Sequence, residues 1–140
     1  MLVRLEPSEV QSNWDKLKEE IKLALNTRFS IVSEDLMVFI KAGLIKGNIQ
    51  AWLIHSDENN YKGLVTTMVD NENLLIFTLT SNRAVISDEG YFGILDELKM
   101  FAKTKKCKLV VAYSRVDRML KMAEKTGGDT SVRFIQWEVL

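Results

Sequence analysis

The chain has one histidine, His55. It closes an apolar run and is followed by Asp57 and Glu58, and an imidazole beside a carboxylate can be tuned into a general base near neutral pH. The same stretch, Ser56-Asp-Glu-Asn-Asn60, is also ordinary turn chemistry, in which a flanking histidine is simply solvated. The one cysteine, Cys107, stands between lysines ahead of an apolar strand with no histidine in sequence context to activate it. Its neighbourhood therefore predicts a buried thiol kept in a reducing compartment rather than a nucleophile. No His/Cys cluster has metal-ligand spacing, so no metal is expected. Glu72 is explained by its turn, Asp70-Asn-Glu-Asn73.

The remaining chemical interest lies between Thr80 and Gly128. A strand ends, the loop Ser81-Asn-Arg-Ala-Val-Ile-Ser-Asp-Glu-Gly90 follows, and a helix opens. An apolar strand, Leu109-Val-Val-Ala112, and a second helix closed by Gly127-Gly128 complete the stretch.

The elements that must hold these residues are legible from periodicity. Leu2-Val-Arg-Leu5 is a short strand stopped by Pro7, and Ser8 with Gln11 has capping-box spacing. Val10, Trp14, Leu17, Ile21 and Leu25 then recur at helical intervals, predicting one continuous amphipathic helix. Ser33 is the N-cap of the next helix, with Glu34 and Asp35 in the first turn and Gly47-Asn48 at the end. The period then changes to two. Strands are expected over Ile49–His55, Tyr61–Val69 and Leu74–Thr80, joined as an antiparallel meander.

Tyr91, Ile94, Leu95, Leu98, Phe101 and Ala102 mark a further amphipathic helix. The apolar run 109–113 suits a strand buried on both faces. Ser114 and Asp117 open the last helix, with Val116, Met119, Leu120 and Ala123 as its inner stripe. Val132–Val139 alternates and reads as a closing strand. Trp52 and Trp137 read as packing on such strands. Lys103, Lys105, Lys106 and Lys108, and likewise Arg118, Lys121 and Lys125, read as solvated faces.

Composition narrows the function. The 140 residues make one domain, 1–140, with 46% hydrophobic and 27% charged residues, ordinary values for a globular α/β protein. Lys+Arg and Asp+Glu are both 19, and this lack of basic excess argues against a nucleic-acid partner. The apolar runs are too short to span a bilayer, and Met1–Pro7 has no secretory pattern. A soluble, cytoplasmic protein is expected.

The order β-α-α-β-β-β-α-β-α-β resembles the GNAT superfamily of N-acetyltransferases over essentially the whole chain. Ala123-Glu-Lys-Thr-Gly127 is similar to that family's Tyr-Glu-Lys-x-Gly ending with the tyrosine replaced, and the closing stretch Arg133-Phe-Ile-Gln-Trp-Glu-Val139 also fits. The resemblance implies a mixed sheet with helices on both faces and acetyl-CoA as cofactor. Its pyrophosphate would sit on a loop reading Gln/Arg-x-x-Gly-x-Gly/Ala, where unpaired amides and a positive helix end attract an anion.

The corresponding stretch here is Ser87-Asp-Glu-Gly-Tyr-Phe92. Gly90 fits the first glycine, whereas Ser87 and Phe92 depart from the pattern. Asp88 and Glu89 bring negative charge, and two unit charges about 4 Å apart repel by about 4 kcal/mol at a surface-like dielectric; the same residues also read as ordinary helix-start chemistry, with Ser87 or Asp88 as cap and Glu89 favouring the dipole. The resemblance implies cofactor contacts at Leu79, Thr80, Ser81, Arg83, Gly90 and Tyr91. Ala123, at the position of the family's general acid, cannot donate a proton; Tyr113 reads either as a substitute donor or as an aromatic packed at the sheet edge with its hydroxyl in water. Val116 stands where the family has a pantetheine-binding asparagine.

Two functions follow as expectations. One is a non-catalytic module of this fold with a degenerate CoA motif, similar to phage acyltransferase-like proteins. It would act in assembly or in a virion within a bacterial host, through a protein partner or self-association. The other is an acetyl-CoA-dependent N-acyltransferase with a diverged loop.

Overall fold

A computed structural model describes residues 1–26, 32–55, 61–81, 86–114, 117–132, 135–137 and 139. Its elements are β1 (Leu2–Arg4), α1 (Pro7–Ser12), α2 (Trp14–Asn26), α3 (Glu34–Lys46), β2 (Ile49–His55), β3 (Tyr61–Asp70), β4 (Asn73–Ser81), α4 (Asp88–Thr104), β5 (Leu109–Ala112) and α5 (Asp117–Lys125). The strands form one sheet in the order β1-β2-β3-β4-β5. The first four pair antiparallel, and β5 lies parallel to β4.

Local capping sets most of the helix boundaries. Ser33 Oγ accepts the Leu36 N–H at 3.1 Å to open α3, and Gly47 ends it in the left-handed region at φ 85°, a conformation glycine adopts without a Cβ penalty. Ser87 Oγ accepts the Gly90 N–H at 3.1 Å to open α4.

The expected single N-terminal helix is instead two. Pro7 occupies the first helical position, where its fixed φ suits the helix and its missing N–H costs nothing. The start is therefore Pro7 and not Ser8. Asn13 breaks the run by turning its side-chain amide back to the Glu9 carbonyl at 2.9 Å, the local competition that asparagine brings to a helix.

The sheet is packed on both faces. Val10, Leu17, Ile21 and Leu25 from α1 and α2, with Met37, Ile40 and Leu44 from α3, cover Ile49, Ala51 and Leu64. On the other face Tyr91, Ile94, Leu98 and Ala102 from α4, with Met122 from α5, cover Ile54, Val65 and Leu74. The inner side of α5 is thus Met122 with Met119 beside it, whereas Leu120, expected in the stripe, is exposed.

Buried polar groups are paired within the sheet. Trp52 Nε1 donates to Thr67 Oγ1 at 2.9 Å, Thr67 Oγ1 donates to Gln50 Oε1 at 2.8 Å, and the Thr66 and Thr78 hydroxyls meet at 2.5 Å. Among the described residues no buried side-chain polar atom lacks a partner, which is what low-dielectric burial requires.

α4 also secures the far edge of the sheet. The Glu97 carboxylate accepts the Leu2 N–H at 3.1 and 3.2 Å, and Arg4 stacks over Trp52 and Phe101 at 5.8 and 5.6 Å.

At the other edge two expectations fail. β5 is the last strand, with Leu109 59% exposed, and is not buried on both faces. The stretch expected to cover it is not a strand at residues 132, 135–137 or 139, and Trp137 is 80% exposed rather than packed. Asp129 Oδ1 accepts both the backbone N–H and the hydroxyl of Ser131, at 2.9 and 2.5 Å. This local turn takes up backbone donors just where a strand would begin. Cys107 is half-buried against the α4 side of the core.

No helix among the described residues is long and apolar enough to cross a membrane.

Gly63 tests the sheet directly. It pairs with Ser81, and a Cβ there would collide with the Thr80 carbonyl oxygen. Gly63→Ala should therefore cost about 3 kcal/mol, the upper end of overpacking penalties, and lower the melting temperature by roughly 10 °C. Gly93→Ala, in α4 with open space around its Cβ, should instead raise stability by up to about 1 kcal/mol through helix propensity. Calorimetric melting of the two variants checks both.

Candidate functional site

The site begins at an irregularity in β4. Thr66 faces Thr78 while Thr67 faces Ile76, so Phe77 is an extra residue on β4, a β-bulge. A bulge bends its strand and increases the local twist. The pairing of β4 with β5 ends at Ile76–Ala112, immediately before the bulge. β4 continues to Ser81 with β3 on one side and no β5 register on the other. The pairing of the two parallel strands thus ends here, leaving β4 with a gap in its pairing on the β5 side.

Side chains tie the two walls of the gap together. The Ser81 hydroxyl, at the end of β4, is hydrogen-bonded to the Tyr91 hydroxyl in the first turns of α4. The Arg118 guanidinium of α5 lies 5.5 Å over the Tyr91 ring. It donates to Asp88 Oδ1 at 3.1 Å and to the Ile86 carbonyl at 3.5 Å. Lys125, two turns on along α5, reaches Asp88 Oδ2 at 3.6 Å.

The Arg118 hydrogen bond, helped by the Lys125 charge, holds the Asp88 carboxyl below the usual carboxylate range. The repulsion expected between Asp88 and a phosphate is therefore answered from within: two cations face the Asp88 carboxylate and, with Glu89 counted, the charges at the start of α4 balance. Arg118 and Lys125 are not simply a solvated face.

The cofactor residues expected from sequence divide over the two sides of β4. Ser81 and Tyr91 meet in the gap, and Leu79 packs with the α4-side core. The Thr80 hydroxyl instead faces β3, accepting the Leu64 N–H at 3.2 Å and donating to its carbonyl at 3.4 Å. The Gly90 N–H is held by Ser87, leaving the Asp88 and Glu89 N–H groups as the outward amides of the first turn. Arg83 and Val116 lie outside the described residues.

Tyr113 directly follows β5, 47% exposed, at the mouth of the gap. His55 is not brought to it. It ends β2, exchanges backbone hydrogen bonds with Met1 at 2.9 and 3.0 Å, and is separated from β4 by β3, roughly 10 Å away at two strand spacings. Asp57 and Glu58, its expected partners, lie outside the described residues. Among those residues no group of His, Cys, Asp and Glu could hold a metal ion.

Sequence reading missed the Arg118–Asp88 pair. The only signal available was that Arg118 and Lys125 share one helix face.

An extended ligand laid in the gap would run along the outer edge of β4, and an anionic end would meet the α4 amides and the Arg118–Lys125 pair. No protein-family model matches the chain, and no curated protein sequence is detectably similar. Solved structures are. An aminoglycoside acetyltransferase from an uncultured soil metagenomic sample, in complex with sisomicin, superposes with a TM-score of 0.71 at 15% identity, over 100% of this chain and 96% of the other. AAC(6')-Iy in complex with the bisubstrate analogue CoA-S-monomethyl-acetylneamine gives 0.70 at 7% identity, over 100% and 97%. A predicted acetyltransferase with acetyl-CoA from Clostridium acetobutylicum gives 0.70 at 10%, over 99% and 95%. Likeness at these identities speaks to architecture: the chain has the fold of the GNAT acetyltransferases, in a diverged form.

Proposed function

We propose that the chain is an acyl-CoA-dependent N-acyltransferase. The observation that carries this reading is the Phe77 bulge at the point where β4–β5 pairing stops, because it makes a gap of the right kind for an extended, anion-ended cofactor. Solved structures with the same fold bind acetyl-CoA or a CoA-containing analogue. The residues present suit such a group. Leu79 and Ser81 would flank its arm, and the outward amides of Asp88 and Glu89, with Arg118 and Lys125, would take its pyrophosphate.

Bound, the cofactor would supply an acyl thioester as the acyl donor for an amine. Tyr113 stands at the mouth of the gap, where a phenol can give its proton to a departing thiolate. Ser81 and Tyr91 hold the end of β4 against α4 and so fix the width of the gap.

A second reading is a non-catalytic assembly or virion module of the same fold, with self-association or a protein partner in place of a substrate. Ala123, which has no proton to give, and the Gly90 N–H already held by Ser87 favour it.

Titration with acetyl-CoA and desulfo-CoA separates the two. Ligand at a hundredfold excess over its Kd should add roughly 2.7 kcal/mol of stability, and Lys125→Ala, which removes one of the two cations at the start of α4, should weaken it. Absence of any shift at millimolar CoA would remove the enzyme reading and leave the module. If transfer to an amine is observed, Tyr113→Phe should lower kcat by about 10²-fold or more without changing KM for acetyl-CoA. An unchanged kcat would exclude Tyr113 as the acid.

A further inference from the structure

On the α2 side of the sheet, behind the end of β4, lies a cavity of about 340 Å³, open to solvent. Its walls include Glu20 and Leu23 of α2, Tyr61 and Lys62 of β3, and Thr80 and Ser81 of β4. This volume is within the range of small-molecule sites.

Its charged walls are Glu20 and Lys62. Among the described residues no cation pairs with Glu20 and no anion pairs with Lys62. The two also lie beyond the 4.0 Å ion-pair distance from each other.

Glu20 is oriented by a hydrogen bond from the Tyr61 hydroxyl. Burial, reinforced by the Glu20 charge, pushes the Tyr61 phenol well above its ordinary range, so the phenol remains a neutral donor. An ionised carboxylate has about four acceptor positions, and Tyr61 uses one; Lys62 has three donors. The cavity thus offers a fixed anion and a separate cation, with the apolar Leu23 as part of its wall.

We infer that the cavity binds a small zwitterionic amino acid, with its ammonium on Glu20 and its carboxylate on Lys62. As a binding site this stands on the cavity alone. As the identity of the acyl acceptor it rests on the acyltransferase reading, and Ser81, which lines the cavity and bonds Tyr91 across the strand end, links the two.

Calorimetric titration of the full chain, without CoA, tests it with glycine, glutamine and leucine as probes, together with leucine methyl ester (cation only) and N-acetylleucine (anion only). At least one zwitterion should bind about 10-fold more tightly than either singly charged analogue, because both ends then make charge-assisted hydrogen bonds. Glu20→Gln should erase the preference over N-acetylleucine, and Lys62→Met the preference over the ester. Amide shifts of Gly63 and Ser81 on titration would locate the ligand, and melting curves of each variant confirm that it is folded.

Equal binding of the ester and the zwitterions, affinity unchanged in both variants, or no binding of any probe at millimolar concentration would each overturn the inference. A parallel CoA titration keeps the two readings apart. Amino-acid binding without CoA binding upholds the site and removes its role as acceptor. CoA binding without amino-acid binding removes the site and leaves the acyltransferase.

Discussion

β4 answers to two neighbours that want different things from it. β3 pairs with it along its full length, from Asp70–Asn73 to Gly63–Ser81, while β5 holds only Asn73–Ile76. A strand bonded on both edges over its whole length would be a sealed sheet with nothing to offer a ligand. The extra residue at Phe77 releases β4 from β5 without releasing it from β3, and the rest of the architecture is arranged around that release. Gly63 has no side chain because β3 must approach the Thr80 carbonyl where β4 bends. The Ser81–Tyr91 bond and the Arg118–Asp88 pair hold the opened end in place from α4 and α5.

The electrostatics of this end are local and compensated. An exposed ion pair contributes little to stability on its own, and the Asp88 cluster is better understood as setting the charge balance of a small region. Arg118 and Lys125 offset Asp88 and Glu89 beside a helix start whose amides favour anions. The opposite face is arranged differently: Glu20 and Lys62 share a cavity without neutralising each other. The two sides of β4 therefore differ in how their charges are placed: paired around Asp88 on one, apart on Glu20 and Lys62 on the other.

Much of the fold was readable because its signals are short-range. Ser33, Gly47 and Ser87 act on residues within one helical turn, and the meander from Ile49 to Ser81 needs only a period of two and short turns. The site was less readable because it depends on distant pairs. Nothing near Phe77 marks it as a bulge; that follows from the register it adopts against Thr66 and Thr67. Asp88 read alone is a phosphate-repelling charge, and only Arg118, thirty residues on, changes its meaning. The 132–139 stretch failed for a related reason. Alternation states which residues would share a face, but a strand also needs a partner to take its backbone hydrogen bonds.

The grip of Glu97 on the Leu2 N–H spans 95 residues of chain, and the stacking of Arg4 on Phe101 spans slightly more. β1 can pair with β2 once β2 exists, but its outer donor and its covering side chains arrive only with α4. During synthesis β1 must wait for α4 before it is clamped. Sequence separations of this size slow folding, so β1 is among the last strands to be committed to the sheet.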